Sequence, residues 1–173
     1  MRITLPDTCL VVLIGVTGSG KSTFARRHFA PTRVLSSDQF RAMLADDEND
    51  QSVTAEAFET LHYVAGKRLA AGRLTVVDAT NVEDWARAEL IKVAKRHRRP
   101  AVAIVLDVPI ELALERNLQR GSPRPPPSAI RRQHRWLADS LPSLALEGFE
   151  AVHVLQSVAD IDAARVERSP RVR

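Results

Sequence analysis

The chain has 173 residues, 45% of them hydrophobic and 27% charged, so it is long enough to bury a core without disulfides or metals. Cys9 is the only cysteine, which excludes an internal disulfide, and no apolar run reaches the roughly 20 residues that span a bilayer. With a formal net charge of +4, the chain is expected to be one soluble, cytoplasmic domain over residues 1–173.

Five short apolar runs rich in β-branched residues predict buried strands. In chain order they cover residues 10–14, 34–35, 74–77, 101–106 and 152–155. Helical patterns lie between these runs, and strands that alternate with helices are typical of a parallel sheet. We therefore predict an α/β fold with a parallel sheet of about five strands, flanked by helices.

The predicted helices are marked by their caps and their apolar spacing. The first begins at Lys21 and ends before Pro31, and another carries the apolar stripe between residues 58 and 69. Capping residues predict that further helices begin near Thr80, Pro109 and Ser128. The basic tail, residues 168–173, is expected to fray.

The charges are unevenly distributed along the chain. Residues 38–59 contain seven acidic residues and one basic residue, a net charge of −6, whereas residues 87–135 contain twelve Lys or Arg and four Asp or Glu, a net charge of +8. A concentrated positive charge favours a polyanionic ligand. The alternative for the cluster at residues 92–99 is that it forms the solvated end of a helix.

A glycine-rich stretch after the first apolar strand matches the pattern G-x-x-x-x-G-K-[ST] and precedes a helix. Its glycines allow successive N–H groups to point at phosphate oxygens, and the helix adds its positive N-terminal end. Lys21 is expected to reach the β- and γ-phosphates, and the Ser22 hydroxyl to reach Mg²⁺. The stretch therefore predicts an ATP site at Gly15, Thr17, Gly18, Ser19, Gly20, Lys21, Ser22 and Thr23.

Asp38 and Arg41 follow the second predicted strand, and a capping box at residues 36–39 places Asp38 in the first turn of a helix. The two side chains lie three residues apart, hence on one face. A carboxylate beside a guanidinium suits an acceptor alcohol that carries a nearby phosphate, with Asp38 as the base and Arg41 on the phosphate. The alternative is a helix-capping Asp in an ordinary ion pair.

Two more features point to the same reaction. Arg116 and Arg120 lie four apart on a predicted helix, and together with a proline-rich loop they suggest a helical lid at about residues 116–140 that brings arginines to the triphosphate. The alternative is a pair of surface arginines. Asp78 follows the third strand, where an acid beside a phosphate loop commonly holds Mg²⁺ directly or through water. Thr80 and Asn81, just behind Asp78 in the chain, could donate hydrogen bonds to the groups that hold the ion.

Taken together, these motifs resemble the kinase domain of bacterial polynucleotide kinase–phosphatase. The resemblance rests on the Gly15–Ser22 loop, Ser36-Ser37-Asp38 with Arg41, the stretch from Val77 to Asn81, and Arg116 with Arg120. It covers nearly the whole chain and implies a P-loop kinase fold. It also implies transfer of the ATP γ-phosphate to the 5′-hydroxyl of RNA or DNA during end repair.

The resemblance also implies roles for individual residues. Asp38 would be the general base, Arg41 would contact the acceptor's 3′-phosphate, and Arg116 and Arg120 would contact the ATP phosphates. Independently of the resemblance, the motifs predict that Lys21 and Arg116 act in catalysis and that Ser22 and Asp78 hold Mg²⁺. Such kinases usually continue into phosphatase and ligase-like domains, so this chain is expected to be a domain of a larger protein. The proline-rich lid loop departs from the family pattern.

Two other interpretations remain open. A P-loop kinase of a small-molecule alcohol would share Lys21, Ser22 and Asp38 without needing the positive surface. A nucleotide-binding switch module would bind ATP and transfer nothing. The sequence also leaves open the choice between RNA and DNA, the donor nucleotide, the adenine contacts and the oligomeric state.

Overall fold

Residues 1–169, which the computed structural model describes, form seven strands and seven α-helices. The strands are β1 (Arg2–Leu5), β2 (Leu10–Ile14), β3 (Val34–Ser36), β4 (Thr75–Asp78), β5 (Ala101–Leu106), β6 (Ala151–Leu155) and β7 (Arg165–Arg168). The helices are α1 (Lys21–His28), α2 (Ser37–Ala45), α3 (Thr54–Ala70), α4 (Asp84–Arg96), α5 (Ile110–Leu118), α6 (Pro127–Ser140) and α7 (Val158–Ala163).

The central sheet contains five strands in the order β3-β4-β2-β5-β6, and all neighbouring strands are parallel. In the middle, Leu10 of β2 lies opposite Thr75 of β4 on one side and Ala101 of β5 on the other. The prediction of a parallel five-stranded α/β sheet flanked by helices is confirmed. Because the strands share one direction, their carboxyl ends all meet at the same edge of the sheet.

Both faces of the sheet are covered, which explains why its strands are continuously apolar. Leu10, Val12 and Ile14 project to one face and pack against α3 and α4. Val11 and Leu13 project to the other face and pack against α1. A third buried cluster joins Val108 and residues of α5 and α6 to the loop after β2, and so fixes these helices beside that loop.

A second sheet, which the sequence analysis did not predict, contains the strands β1 and β7 in parallel. Ile3 and Leu5 of β1 are fully buried in the cluster that also contains α1. The side chains of β1 alternate between exposed and buried positions. This small sheet extends the core but lies outside the sheet that carries the predicted site residues.

Two helices begin at other residues than their capping patterns predict. Thr80 does not begin α4, whose first residue is Asp84, and Glu83 occupies the N-cap position without a side-chain cap. Likewise Ser128 lies inside α6, which begins at Pro127. Proline is favoured at a first helical position because it lacks the N–H that has no partner there.

No helix within residues 1–169 combines the length and the apolar character that crossing a bilayer requires. At the carboxyl end, Arg168 belongs to β7, and the Ser169 N–H donates to the Leu5 carbonyl at 2.8 Å. The remainder of the tail that was expected to fray, residues 170–173, lies outside the described residues.

Candidate active site

The loop between β2 and α1 requires glycine at particular positions. Gly18 and Gly20 have φ angles of 86° and 100°, in the left-handed region that other residues rarely adopt. A Cβ at Gly18 would also lie 2.6 Å from the Ala113 carbonyl oxygen of α5. Gly20 is the N-cap of α1 and provides no side-chain cap, so the first N–H groups of the helix remain available to an anion.

Lys21, the first residue of α1, is buried beside the loop. Its Nζ donates hydrogen bonds to the Val16 carbonyl at 2.9 Å and to the Ser19 hydroxyl at 3.4 Å. Burial lowers the pKa of Lys21 from 10.5 to about 8, and this effect outweighs the opposing influence of the Asp78 and Asp38 carboxylates. Arg120 lowers it further. The structure therefore brings four predicted site residues close enough to interact electrostatically.

Asp78 and Ser22 provide a donor set that suits Mg²⁺. Asp78 is the last residue of β4, is only 7% exposed, and lies opposite Leu13 and Ser36 in the neighbouring strands. Ser22 lies in the first turn of α1. No group of three or more His, Cys, Asp or Glu side chains that could hold a metal occurs among residues 1–169. Mg²⁺ usually binds through one or two carboxylates together with substrate phosphates, so these two residues fit the ion.

Asp38 and Arg41 pair with each other, as their spacing on α2 predicts. An Arg41 Nη2–Asp38 Oδ1 ion pair is present, and the Arg41 Nε donates to the Glu48 carbonyl at 2.9 Å. The Arg41 side chain is only 10% exposed, whereas that of Asp38 is 58% exposed. The buried guanidinium thus holds a carboxylate that faces solvent at the carboxyl edge of the sheet. Both interpretations of Asp38 and Arg41, as catalytic residues and as an ordinary ion pair, predict this contact, so it does not distinguish between them.

The helices α5 and α6, which include most of the segment predicted as a lid, contact the phosphate loop directly. Arg116 Nη1 donates to the carbonyls of Gly18 at 3.2 Å and Ser19 at 3.4 Å. The Thr17 N–H donates to the Gln133 side-chain oxygen at 2.9 Å, a contact between α6 and the loop that the sequence analysis missed. An isolated glutamine on an amphipathic helix gives no signal of such a contact.

Arg120 differs from Arg116 in its placement. The helix α5 ends at Leu118, so Arg120 follows the helix and is exposed, rather than lying one turn after Arg116 on the same helix. Hydrogen bonds hold the proline-rich loop after it. Asn117 Nδ2 donates to the Pro125 carbonyl at 2.9 Å, and Arg124 Nη1 donates to the carbonyls of Leu118 at 2.9 Å and Arg120 at 3.4 Å.

Thr80 and Asn81, which the sequence predicted behind Asp78, contact the end of β2 and the phosphate loop instead. Asn81 has a φ of 49°, and its side-chain amide donates to the Leu13 carbonyl at 2.7 Å, while the Gly15 N–H donates to the Thr80 carbonyl at 3.0 Å. Thr80 and Asn81 therefore hold the end of β2 and the start of the phosphate loop.

Arg87 of α4 contacts this segment. Its side chain is fully buried, donates to the Asn81 carbonyl at 3.0 Å, and forms a bidentate ion pair with Glu147 at 2.7 and 2.6 Å. The signal in the sequence was an arginine at helical spacing from the apolar Ile91 and Ala94. The ion pair between α4 and Glu147 thus fixes Arg87, whose hydrogen bond to the Asn81 carbonyl supports the segment that contacts the loop.

The family model described as AAA domain matches residues 10–141, about three quarters of the chain. Among curated proteins, the L-seryl-tRNA(Sec) kinase of Methanococcus maripaludis is 29% identical over 123 residues, which are 67% of this chain and 48% of that protein. The putative bifunctional polynucleotide kinase/RNA ligase of Autographa californica nuclear polyhedrosis virus is 28% identical over 152 residues, 77% of this chain and 21% of that protein.

Among solved structures, that of the Pnkp1/Rnl/Hen1 RNA repair complex contains a chain that superposes with a TM-score of 0.69 at 24% identity, covering 80% of this chain and 47% of that one. This similarity shows a shared P-loop kinase fold. The present chain spans about half the length of the tRNA kinase and about a fifth of the viral protein.

Proposed function

The chain belongs to the AAA-domain family and has a P-loop kinase fold, and from this premise we propose that it is an ATP-dependent polynucleotide 5′-hydroxyl kinase. The observation that carries the proposal is the placement of two residues at the carboxyl edge of the sheet: Lys21 is the first residue of α1, after β2, and Asp38 lies in the first turn of α2, directly after β3. A kinase needs its phosphate-binding cation and its acceptor-binding carboxylate in a common site.

In the proposed reaction, the loop N–H groups and Lys21 bind the ATP phosphates. Mg²⁺, held by Ser22 and Asp78, would neutralise charge on these phosphates when bound. The acceptor's 5′-oxygen forms a bond to the γ-phosphorus as the bond to the bridging oxygen breaks, and ADP leaves. Asp38 orients the hydroxyl and accepts its proton.

Arg41 would bind the acceptor, and Arg116 and Arg120 would bind the ATP phosphates. Arg41, already held beside Asp38, would form charge-assisted hydrogen bonds to an acceptor phosphate. Arg116 lies against the loop carbonyls, within reach of the triphosphate that the loop would hold, and Arg120 lies near Lys21. Both would stabilise negative charge that develops on the transferred group.

The biological setting is part of the proposal. One relative's name joins a polynucleotide kinase to an RNA ligase, and a structural neighbour comes from an RNA repair complex. We propose that this chain phosphorylates 5′-OH ends during cytoplasmic RNA or DNA repair, next to phosphatase and ligase domains or partners. Both relatives are longer than the region they share with this chain, which agrees with a domain of a larger protein.

The test is transfer of labelled γ-phosphate from ATP–Mg²⁺ to a 5′-OH oligonucleotide. Asp38→Asn keeps the shape of the side chain but removes the base, and should reduce kcat by roughly 10²- to 10⁴-fold with little change in ATP affinity. Asp46→Asn is the matched control, because Asp46 is exposed, ends the same helix, and has a left-handed φ of 56° that asparagine tolerates.

Three outcomes would contradict the proposal. If wild type binds ATP tightly and labels no RNA or DNA oligonucleotide, the polynucleotide acceptor is wrong, and small alcohols and seryl-tRNA become the acceptors to assay. If it labels none of these, the chain acts as a nucleotide-binding module. If Asp38→Asn transfers phosphate as fast as Asp46→Asn does, Asp38 is not the base.

A further inference from the structure

The edge of the sheet where the strands begin is lined by cationic side chains. Arg33 precedes β3, Arg73 precedes β4, and Arg98 and Arg99 precede β5, while Arg68 and Lys95 lie in the last turns of α3 and α4. We call these six residues the basic edge. Since all five strands are parallel, the basic edge and the phosphate loop lie at opposite ends of strands that are roughly 10–20 Å long.

The members of the basic edge are neighbours in space. Arg68 lies across the start of β4, where it donates to the Leu74 carbonyl and the Thr75 hydroxyl, both at 3.1 Å. Burial lowers the pKa of Arg68, and the nearby guanidinium groups of Arg73 and Arg33 lower it further.

The other half of the basic edge adjoins these arginines. A Cβ placed on Gly72 would lie 3.9 Å from Nη2 of Arg99, so Arg99 borders the turn that leads to Arg73. The Arg98 N–H donates to the Lys95 carbonyl at 3.0 Å. The six cations therefore border the beginnings of β3, β4 and β5, and the approach of Arg99 to Gly72 joins the two groups past the beginning of β2, which lies between β4 and β5.

The six cations outnumber the carboxylates beside them and, in the part of the chain that the structure describes, form no ion pair with those carboxylates. Within residues 1–169, none of the six side chains lies within 4.0 Å of a carboxylate oxygen. The nearby acid is Glu150, whose N–H donates to the Ala101 carbonyl at 2.8 Å. Asp7, before β2, pairs with Arg168.

Helix dipoles explain only part of this pattern. A cation in the last turn of a helix is favoured by the helix dipole, and this accounts for Arg68 and Lys95. Arg33 lies outside the α-helices, and Arg73, Arg98 and Arg99 lie two or three residues after α3 and α4, where the effect of the dipole is already falling off. A group of unpaired guanidiniums costs repulsion in the free protein, and an incoming polyanion would relieve that repulsion.

We propose that the basic edge binds the phosphate backbone of nucleic acid, at a surface separate from the reacting end. Guanidiniums bind phosphate with two parallel hydrogen bonds, and duplex nucleic acid carries about one charge per 1.7 Å of its axis. The six residues include no aromatic side chain for stacking on bases, so binding is independent of sequence. The surface does not depend on the proposed transfer reaction.

The probe is a fluorescent DNA dumbbell, a duplex closed by a loop at each end, which has no 5′-hydroxyl end to enter the candidate active site. Binding is measured by anisotropy between 50 and 300 mM KCl, without ATP. The test variant is Arg73→Gln/Lys95→Gln/Arg98→Gln, since these three side chains are exposed and the fold tolerates their change. Thermal unfolding confirms that each variant is folded.

The control is Arg2→Gln/Arg27→Gln/Arg165→Gln, which removes the same charge from exposed positions on or beside the small β1–β7 sheet. Losing three phosphate contacts should lower the salt-dependence slope by about 3 and weaken binding at 100 mM KCl by on the order of tenfold or more. The control should change affinity less than about twofold, because those positions touch no nucleic acid in the proposed complex.

Two results would overturn the inference: no dumbbell binding by wild type at 50 mM KCl, or equal loss of binding in the two triple variants. Asp38→Asn should bind the dumbbell as wild type does. If 5′-OH oligonucleotides are not phosphorylated while dumbbell binding depends on the basic edge, the proposed function fails and this inference stands. If transfer occurs and the dumbbell is not bound, the reverse holds.

Discussion

Raising the pH above about 8 should weaken ATP binding, because the lysine of the phosphate loop loses its proton in that range. Burial lowers the pKa of Lys21 from 10.5 to about 8 in the free protein. By that value, about a tenth of the molecules carry a neutral Lys21 at pH 7, and about nine-tenths at pH 9. Only the ammonium form attracts the β- and γ-phosphates, so the neutral form must take up a proton when ATP binds.

The size of the effect follows from the shift itself. Bound phosphates favour the charged form and raise the pKa of Lys21 again. If the pKa returns to the ordinary value of 10.5, the difference of 2.5 units corresponds to about 3 kcal/mol. The ATP dissociation constant should therefore rise about tenfold per pH unit above pH 8, up to a few hundred-fold in total.

Calorimetric titration of ATP at pH 7 and pH 9, in two buffers that differ in ionisation enthalpy, measures the protons taken up on binding. We expect about 0.1 proton at pH 7 and about 0.9 at pH 9. Lys92→Met should preserve both values, because Lys92 is an exposed lysine of α4. Tight ATP binding at pH 9 without proton uptake would refute this account of the buried lysine.

Two substitutions test how the fold supports the loop. Gly18→Ala should weaken ATP binding at least about tenfold, because its φ of 86° strains an alanine and the added Cβ would touch the Ala113 carbonyl. The control Gly121→Ala, whose Cβ would have no atom within 4 Å, should bind ATP as wild type does. Equal affinities of the two variants would contradict this account of the loop. Glu147→Gln should lower the free energy of unfolding, measured in urea, by about 3 kcal/mol, because it leaves the charge of Arg87 fully buried without a partner. The double variant Arg87→Met/Glu147→Leu, which removes both charges, should restore most of the lost stability. A Glu147→Gln variant as stable as wild type would refute the reasoning.

The central sheet was predictable because its strands are apolar over most of their length, which is visible in the local sequence. The run Leu10–Ile14 is apolar at every position and ends at a glycine, and the observed strand β2 has the predicted bounds. The strand β5 was also predicted to the residue. Strands buried on both faces carry this signal in their own sequence, whatever their partners are.

The small second sheet was not predictable for the opposite reason. β1 is four residues long, alternates between exposed and buried positions, and pairs with β7 from the other end of the chain. Short alternating segments occur in loops as often as in strands, and a pairing over this distance leaves no mark in local sequence.

The predicted start of α4 was wrong because Thr80 and Asn81 form hydrogen bonds with the end of β2 and the phosphate loop instead of beginning the helix. The Thr80 carbonyl accepts the Gly15 N–H, and Asn81 has a left-handed backbone that no helix contains. A capping box describes only what a segment can do locally, and here a tertiary contact competes with it. The placements of Lys21 and Asp78 were predictable from the loop motif and the strand end, while their catalytic roles stay predictions.

Two cations, Lys21 and Arg116, lie against carbonyls of the loop that we propose binds phosphates. Lys21 donates to the Val16 carbonyl, and Arg116 donates to the carbonyls of Gly18 and Ser19. Phosphate oxygens are charged and therefore stronger acceptors than carbonyls, so ATP can take over these hydrogen bonds without a large movement of Lys21 or of α5. Side chains that are ordered before binding lose less conformational entropy when the ligand arrives. These contacts thus favour ATP binding by exchange of hydrogen bonds rather than by closure of α5 from a distance.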